Sequence, residues 1–234
     1  MKNRPPERFL NSNNNLPLFK NQQSPVLSRT LFHVFKTTDG KMRKVKLQMQ
    51  MTLDGFVAGP TGEQDWMVWN WDTVLNQYAA DLANSADTML IGRVTYEGMA
   101  NYWPNAATNP DANPDDLAFA HQMNEIEKVV FSTTLSTVEW KNARLTRKSP
   151  VEEVAELKTQ PGKDLIIYGG ASIVSAFVKH NLIDEYHLFI NPVALKTGLP
   201  IWQEMADRMT LRLVKTTVSN VGIVVLCYHS EPAW

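Results

Sequence analysis

From Met42 onward the chain alternates two hydrophobic rhythms, one with a period of two and one with helical spacing. Lys44–Met51 alternates as a strand, and Thr88–Ile91 and Lys128–Phe131 are short apolar strands. Asp164–Tyr168 is another and runs straight into Gly169-Gly170. Helical spacing lies between them near Val74–Ala83, Arg93–Ala100, Asp115–Asn124 and Pro150–Leu157, and Ile173, Val174, Phe177 and Val178 form the stripe of a further helix. Pro114 and Pro150 suit helix starts, where proline gives up no needed donor. Asp184–Leu195, Leu211–Val218 and Val221–His229 read as three closing strands. Strand–helix alternation that ends in strand–strand pairing predicts an α/β sheet with antiparallel C-terminal strands, without repeats or an internal linker.

The stretch 1–41 breaks this rhythm. Asn, Gln, Ser and Pro dominate Asn11–Asn15 and Asn21–Pro25, and no apolar period is sustained. Seven basic residues against Glu7 and Asp39 give it +5, which leaves −6 for the rest of a chain with net charge −1. Such sequence cannot bury enough apolar surface to offset its ordering entropy, so 1–41 is expected to be a poorly ordered extension and 42–234 the folded domain. It lacks the apolar segment of a secretory signal and reads as an appendage or a misassigned start rather than a targeting peptide. Leu31–Phe35 is a candidate docking segment.

Composition narrows the function classes. With 44% hydrophobic and 20% charged residues, the 234-residue chain has globular composition. A net charge of −1 gives no support for a nucleic-acid binder. The longest apolar run, Ile223–Tyr228, falls far short of the ~20 residues of a membrane span. The lone Cys227 excludes an intramolecular disulfide and any multi-cysteine metal site, and the five histidines form no pair at ligand spacing, so no metal is expected. His187 is expected to be packed or paired rather than catalytic, and Cys227 to be a buried apolar residue. A cytoplasmic protein is the resulting expectation.

Four segments carry candidate chemistry. In Leu165–Lys179 an apolar strand meets two glycines and then a helix, which lets backbone approach a ligand and aims free N–H groups at it. By itself the segment reads equally as a plain tight connection, and it matches neither standard nucleotide-binding fingerprint. In Thr88–Glu97 a strand again becomes a helix through glycine, with Arg93 and Thr95 in the first turn. Arg93 can fork onto a phosphate or pair with Glu97 one turn on. In Val129–Thr134 hydroxyls follow a strand. Three such junctions reinforce one another, because ligands bind beyond the carboxyl ends of parallel strands. In Gln50–Gly62 a strand gives way to a loop with Gly55, Gly59 and Gly62, followed by Trp66, Trp69 and Trp71. Such a loop is expected to be mobile and to close over a ligand, with Asp54 either engaging substrate or serving as a turn residue.

Thr52–Gly59, Leu90–Glu97, Val129–Ser132 and Ile167–Ser172 occur in order at the expected separations, and with Leu182–Val193 they resemble the dihydrofolate reductase-like proteins. The branch is that of the C-terminal reductase domain of the bifunctional riboflavin-biosynthesis protein, and the resemblance covers 42–229. It implies a three-layer fold with a mostly parallel sheet of about eight strands, NADPH as cofactor, and a homodimer. Carried over, Gly169, Gly170, Ala171, Ser172 and Ile173 hold the pyrophosphate. Gly92, Arg93, Thr95, Ser132 and Thr133 flank the adenosine and its 2′-phosphate. Val57, Ala58 and Gly59 border the nicotinamide; Thr52 and Trp66 face substrate, with Asp54 as the catalytic candidate. The carboxylate with which dihydrofolate reductases grip the pterin falls at about Asn76 here, beside Gln77, which disfavours folate reduction. No H-x-E with P-C-x-x-C of the zinc deaminase half is present. The expected activity is NADPH-dependent reduction of a small heterocycle, first 5-amino-6-(5-phosphoribosylamino)uracil, with pterin reduction or a non-catalytic dinucleotide-binding protein as alternatives.

Overall fold

Residues 42–231 are described by the computed structural model; the extension 1–41, including Leu31–Phe35, lies outside them. Alternation in β1 (Val45–Thr52) sends Val45, Leu47, Met49 and Met51 into one apolar layer. The intervening Lys46, Gln48 and Gln50 therefore lie on the opposite face, by the two-residue period of a strand. The other strands are β2 (Ala86–Gly92), β3 (Glu127–Phe131), β4 (Ala143–Thr146), β5 (Asp164–Ile167), β6 (Glu185–Asn191), β7 (Leu211–Val218) and β8 (Val224–Ser230). They form one eight-stranded sheet in the order β4-β3-β2-β5-β1-β6-β8-β7. Pairing is parallel from β4 through β6 and antiparallel at β6–β8 and β8–β7.

Helices α4 (Pro150–Thr159) and α5 (Ala171–Lys179) cover the face of Leu47 and Met49, through Val154, Leu157, Val174 and Phe177. Helices α1 (Thr73–Asn84), α2 (Arg93–Ala106) and α3 (Pro114–Glu125) cover the other, where Leu82, Tyr96 and Met123 pack on Met89, Ile91 and Ile166. This gives the expected three layers with antiparallel C-terminal strands. No described helix is long and apolar enough to cross a membrane.

Three differences from the sequence expectation have physical causes. Strand β4 went unrecognised because four residues carry too little periodicity; it is held by β3 and by Glu153, which accepts from Arg144 and Thr146. Helix α2 runs past Ala100 and through Pro104, because Trp103 packs edge-on to Phe119 of α3 at 5.4 Å. Strand β6 stops at Asn191, and Val193 turns aside to accept a bond from Leu53.

Two stability predictions follow from this packing. Phe177 is fully buried, edge-on to Phe131 at 5.6 Å. Phe177→Ala should lower unfolding free energy in urea by about 3–5 kcal/mol. At the start of β6 the Glu185 carboxyl lies 3.5 Å from the His187 imidazole and 2.6 Å from Lys44. The His187 imidazole first, then Lys44 and Lys46, outweigh burial and hold Glu185 down to about 2 against an ordinary 4.5. A carboxyl lowered in the folded state contributes stability above its unfolded value and loses it as pH falls through the folded one. Melting temperature should therefore drop between pH 4.5 and about 2, and Glu185→Gln should shallow that drop.

Candidate functional site

The site assembles where strand tips meet helix starts. Chain order runs from β1 across to β2, β3 and β4, then returns to insert β5 between β2 and β1 before β6 pairs on the far side of β1. The carboxyl tips of β3, β2, β5 and β1 therefore stand side by side at the reversal of strand order, the usual crevice of an open α/β sheet.

Side chains cap three of the five helices among the described residues: Asp72 on α1, Asn113 on α3 and Ser149, in a capping box, on α4. The other two, α2 and α5, begin on Gly92 and Gly170 and have no side-chain cap. These two helices lie on opposite faces of the sheet, yet their first turns touch. A Cβ on Gly170 would lie 3.2 Å from both Thr95 Oγ1 and Ile173, and one on Gly92 would lie 3.1 Å from Ile173. Gly169 and Gly170 have φ of 108° and 87°, the left-handed region that glycine tolerates. Two uncapped helix starts thus converge on one point, where their orphan N–H groups and positive dipole ends favour an anion. Ala171 is half-buried, Ser172 exposed and Ile173 buried at that point.

Ser132 closes the β3 tip by accepting from the backbone N–H groups of Thr134 and Leu135, while Thr133 is exposed. Arg147, just past β4, donates to the Ser132 and Leu135 carbonyls and brings a second guanidinium to this end. Sequence reasoning missed Arg147 because its position depends on the β3–β4 pairing. Arg93 holds Glu97 at 2.9 Å with both side chains about half exposed, which is the helix-surface alternative foreseen for it.

The loop after β1 is tied down in its first half. Val57 donates to Leu199, Leu199 donates back to Ala58, and Val57, Ala58 and Gly59 are buried. Asp54 accepts from the Thr52 hydroxyl at 2.6 Å and from the Leu195 and Lys196 N–H groups at 3.2 and 2.7 Å. The Thr52 bond first, then the backbone bonds, hold the Asp54 carboxyl below the usual carboxylate range. Asp54 is thus an ionised brace between the 53–59 and 193–199 segments, the turn-residue alternative. The expected mobile loop is pinned over this half. Thr52 is buried and also accepts from Phe56. Trp66 bonds within its own loop, to the Glu63 carbonyl. The tryptophan that reaches the sheet is Trp71, stacked on Phe189 at 5.3 Å, and no spacing rule singled it out.

Helix phase corrects one expectation on α1. Asn76 and Gln77 are exposed, and Gln77 donates to Asp81, which is exposed as well. The polar side chain that α1 turns to the sheet is Tyr78, bonded to His187 Nδ1 at 2.7 Å. His187 and Cys227 are buried, as expected.

Residues 43–225 match the RibD C-terminal domain family. The chain belongs to that family. The protein YyaP of Bacillus subtilis (strain 168) is 34% identical over 193 residues, covering 82% of this chain and 98% of its own. A putative riboflavin biosynthesis protein from Shewanella sp. PV-4 superposes with a TM-score of 0.62 at 22% identity, over 82% of this chain and all of its own. Dihydrofolate reductase from Enterococcus faecalis, complexed with NADP(H) and RAB-propyl, superposes with a TM-score of 0.53 at 14% identity, over 81% of this chain and 97% of its own. The fold is therefore dihydrofolate reductase-like.

In this RibD C-terminal-type domain the glycine junction has a structural cost when filled. Gly170→Ala should destabilise the fold by about 1–2 kcal/mol in denaturant titration, from its positive φ and the 3.2 Å contacts.

Proposed function

We propose that the protein is a cytoplasmic NADPH-dependent reductase of a small heterocycle, with 5-amino-6-(5-phosphoribosylamino)uracil of riboflavin biosynthesis as first candidate. The observation that carries this reading is the convergence of the two glycine-started, uncapped helices, α2 and α5, at adjacent strand tips. A side-chain cap or a Cβ there would occupy the space an incoming phosphate needs, so the residues present fit a dinucleotide.

In this reading Gly169, Gly170 and the first-turn amides of Ala171, Ser172 and Ile173 hold the pyrophosphate. Gly92 and Thr95 line its other side. Arg93 leaves Glu97 for the 2′-phosphate, a surface pair worth only ~0.3–0.5 kcal/mol being a small loss. Ser132, Thr133 and Arg147 border the adenosine. Val57, Ala58 and Gly59, held by their ladder to Leu199, border the nicotinamide. The bound coenzyme supplies the hydride. Thr52 and Trp66 stand toward the substrate side, and Asp54 acts as a positioning residue that keeps the 53–59 segment in register. Water exclusion falls to Trp71, whose stack on Phe189 closes the α1 side of β6. A homodimer is part of the proposal; the exposed Leu213, Val214 and Val218 of edge strand β7 suit a partner surface.

NADPH should raise the melting temperature of the full chain. Arg93→Ala should weaken NADPH about tenfold or more by calorimetry and leave NADH nearly unchanged, because only NADPH carries the 2′-phosphate. Equal losses for both coenzymes would remove Arg93 from that role. Absence of any coenzyme effect in the unaltered protein would refute the reading.

A further inference from the structure

Away from the strand tips, helix α2, the end of α3 and the 137–141 segment border a groove of about 770 Å³, a volume suited to a small molecule. Tyr96, Ala100 and Pro104 line it from α2, Asn124 from α3, and Glu139 and Trp140 from the facing segment. Ala100 and Pro104 come seven and eleven residues after Arg93. They therefore lie roughly 10 and 16 Å along the α2 axis from the glycine junction. The walls are fixed to one another. The Tyr96 hydroxyl accepts from the Glu139 and Trp140 N–H groups at 2.9 and 3.2 Å. The Trp140 indole N–H donates to Asn124 Oδ1 at 2.7 Å, and the Asn124 amide donates to the Trp103 and Ala120 carbonyls.

Two acceptors of this groove call for a donor. Pro104 has no N–H, so the Ala100 carbonyl lacks the donor that a residue four places on supplies in a regular helix. At the next residue the Asn105 side-chain amide donates to the Asn101 carbonyl at 2.8 Å. The second acceptor is the exposed Glu139 carboxylate, which enters none of the ion pairs among the described residues. Tyr96 and Ala100 are one turn apart on the same face of α2, and Tyr96 holds the Glu139 backbone, so both acceptors border one stretch of the groove. The other charges nearby are already engaged. Lys141 pairs with Glu125, and Arg93 with Glu97. The buried Lys128 ammonium, 4.2 Å from the Trp140 ring centroid, donates to the Asn124, Ile126 and Lys141 carbonyls at 2.8, 2.7 and 3.0 Å. Glu139 is left as an uncompensated negative charge beside the apolar surface of Ala100, Pro104 and Trp140.

We propose that the groove is a binding site for a primary arylalkyl ammonium ligand, with its ring against Pro104 and Trp140 and its ammonium between the Glu139 carboxylate and the Ala100 carbonyl. An ammonium carries donors only, so it serves both acceptors at once, and its bond to the carboxylate is charge-assisted. An anionic ligand would meet Glu139 with like charge, and a neutral one would leave that charge unbalanced. The site goes beyond the reductase reading and does not depend on it, because no residue assigned to coenzyme or substrate lines the groove.

The probe is tryptamine, compared with indole-3-ethanol, which has the same ring and a hydroxyl in place of the ammonium. Binding is measured by calorimetry on the full chain in neutral, low-salt buffer. The unaltered protein should prefer tryptamine about tenfold. Glu139→Gln should erase that preference and leave the melting temperature unchanged, because the carboxylate is exposed and enters no ion pair among the described residues. Pro104→Ala returns an N–H to the Ala100 carbonyl, so it should raise the melting temperature and cut the preference about three- to fivefold. No preference for tryptamine in the unaltered protein, or a preference undiminished by either substitution, overturns the site.

Discussion

Two helices on opposite faces of one sheet start at adjacent strand tips, and both start on glycine, where a side chain would crowd the other helix's first turn. With α2 and α5 packed against different layers, the tips of β2 and β5 bring their first turns within van der Waals distance. Any side chain at Gly92 or Gly170 would meet Ile173, and at Gly170 also Thr95. The same constraint removes the side-chain caps that α1, α3 and α4 possess. What packing disfavours and what an anion needs the absence of therefore coincide at one point. The rest of the site is arranged around that coincidence. The β3 tip with Ser132 and Arg147 lies to one side, and the pinned segment after β1 lies to the other.

That pinning separates positioning from chemistry. Asp54 bridges two backbone segments with both carboxylate oxygens, and the antiparallel bridge Ala58↔Leu199 continues the tie. A carboxylate so saturated stays ionised and rigid, which suits a group that holds other groups in place. In the proposed reductase reading, protein effort at the site goes into orientation, since a redox coenzyme would carry the reactive bond.

Much of this was legible in the sequence, and the gaps have clear origins. The apolar periods of β1, β2, β3 and β5 survive in the structure because each strand is buried by its neighbours and by helices. The paired glycines before α5 were visible because a left-handed backbone demands them. Arg147 was invisible because β4 is too short to show a period, so nothing placed it beside Ser132. Tyr78 was passed over because counting back along a helix to a family position is accurate only to a residue or two, and two residues turn a side chain by a little over half a turn. Trp66 and Trp71 could not be ranked from spacing, because stacking on Phe189 is a long-range fact.

The two faces of β1 show why periodicity finds a fold more easily than a function. Leu47 and Met49 announce their layer, because apolar residues at alternate positions have one reading. Gln48 and Gln50, interleaved with them, look like the solvated side of an edge strand. Yet β1 lies fourth from the β7 edge, between β5 and β6, with α1 in the layer above. A polar row at the centre of a sheet is costly to keep unless something bonds to it, and Asn191 satisfies only Gln50. Alternation of this kind in a central strand becomes readable only once topology shows that the strand has no edge to expose.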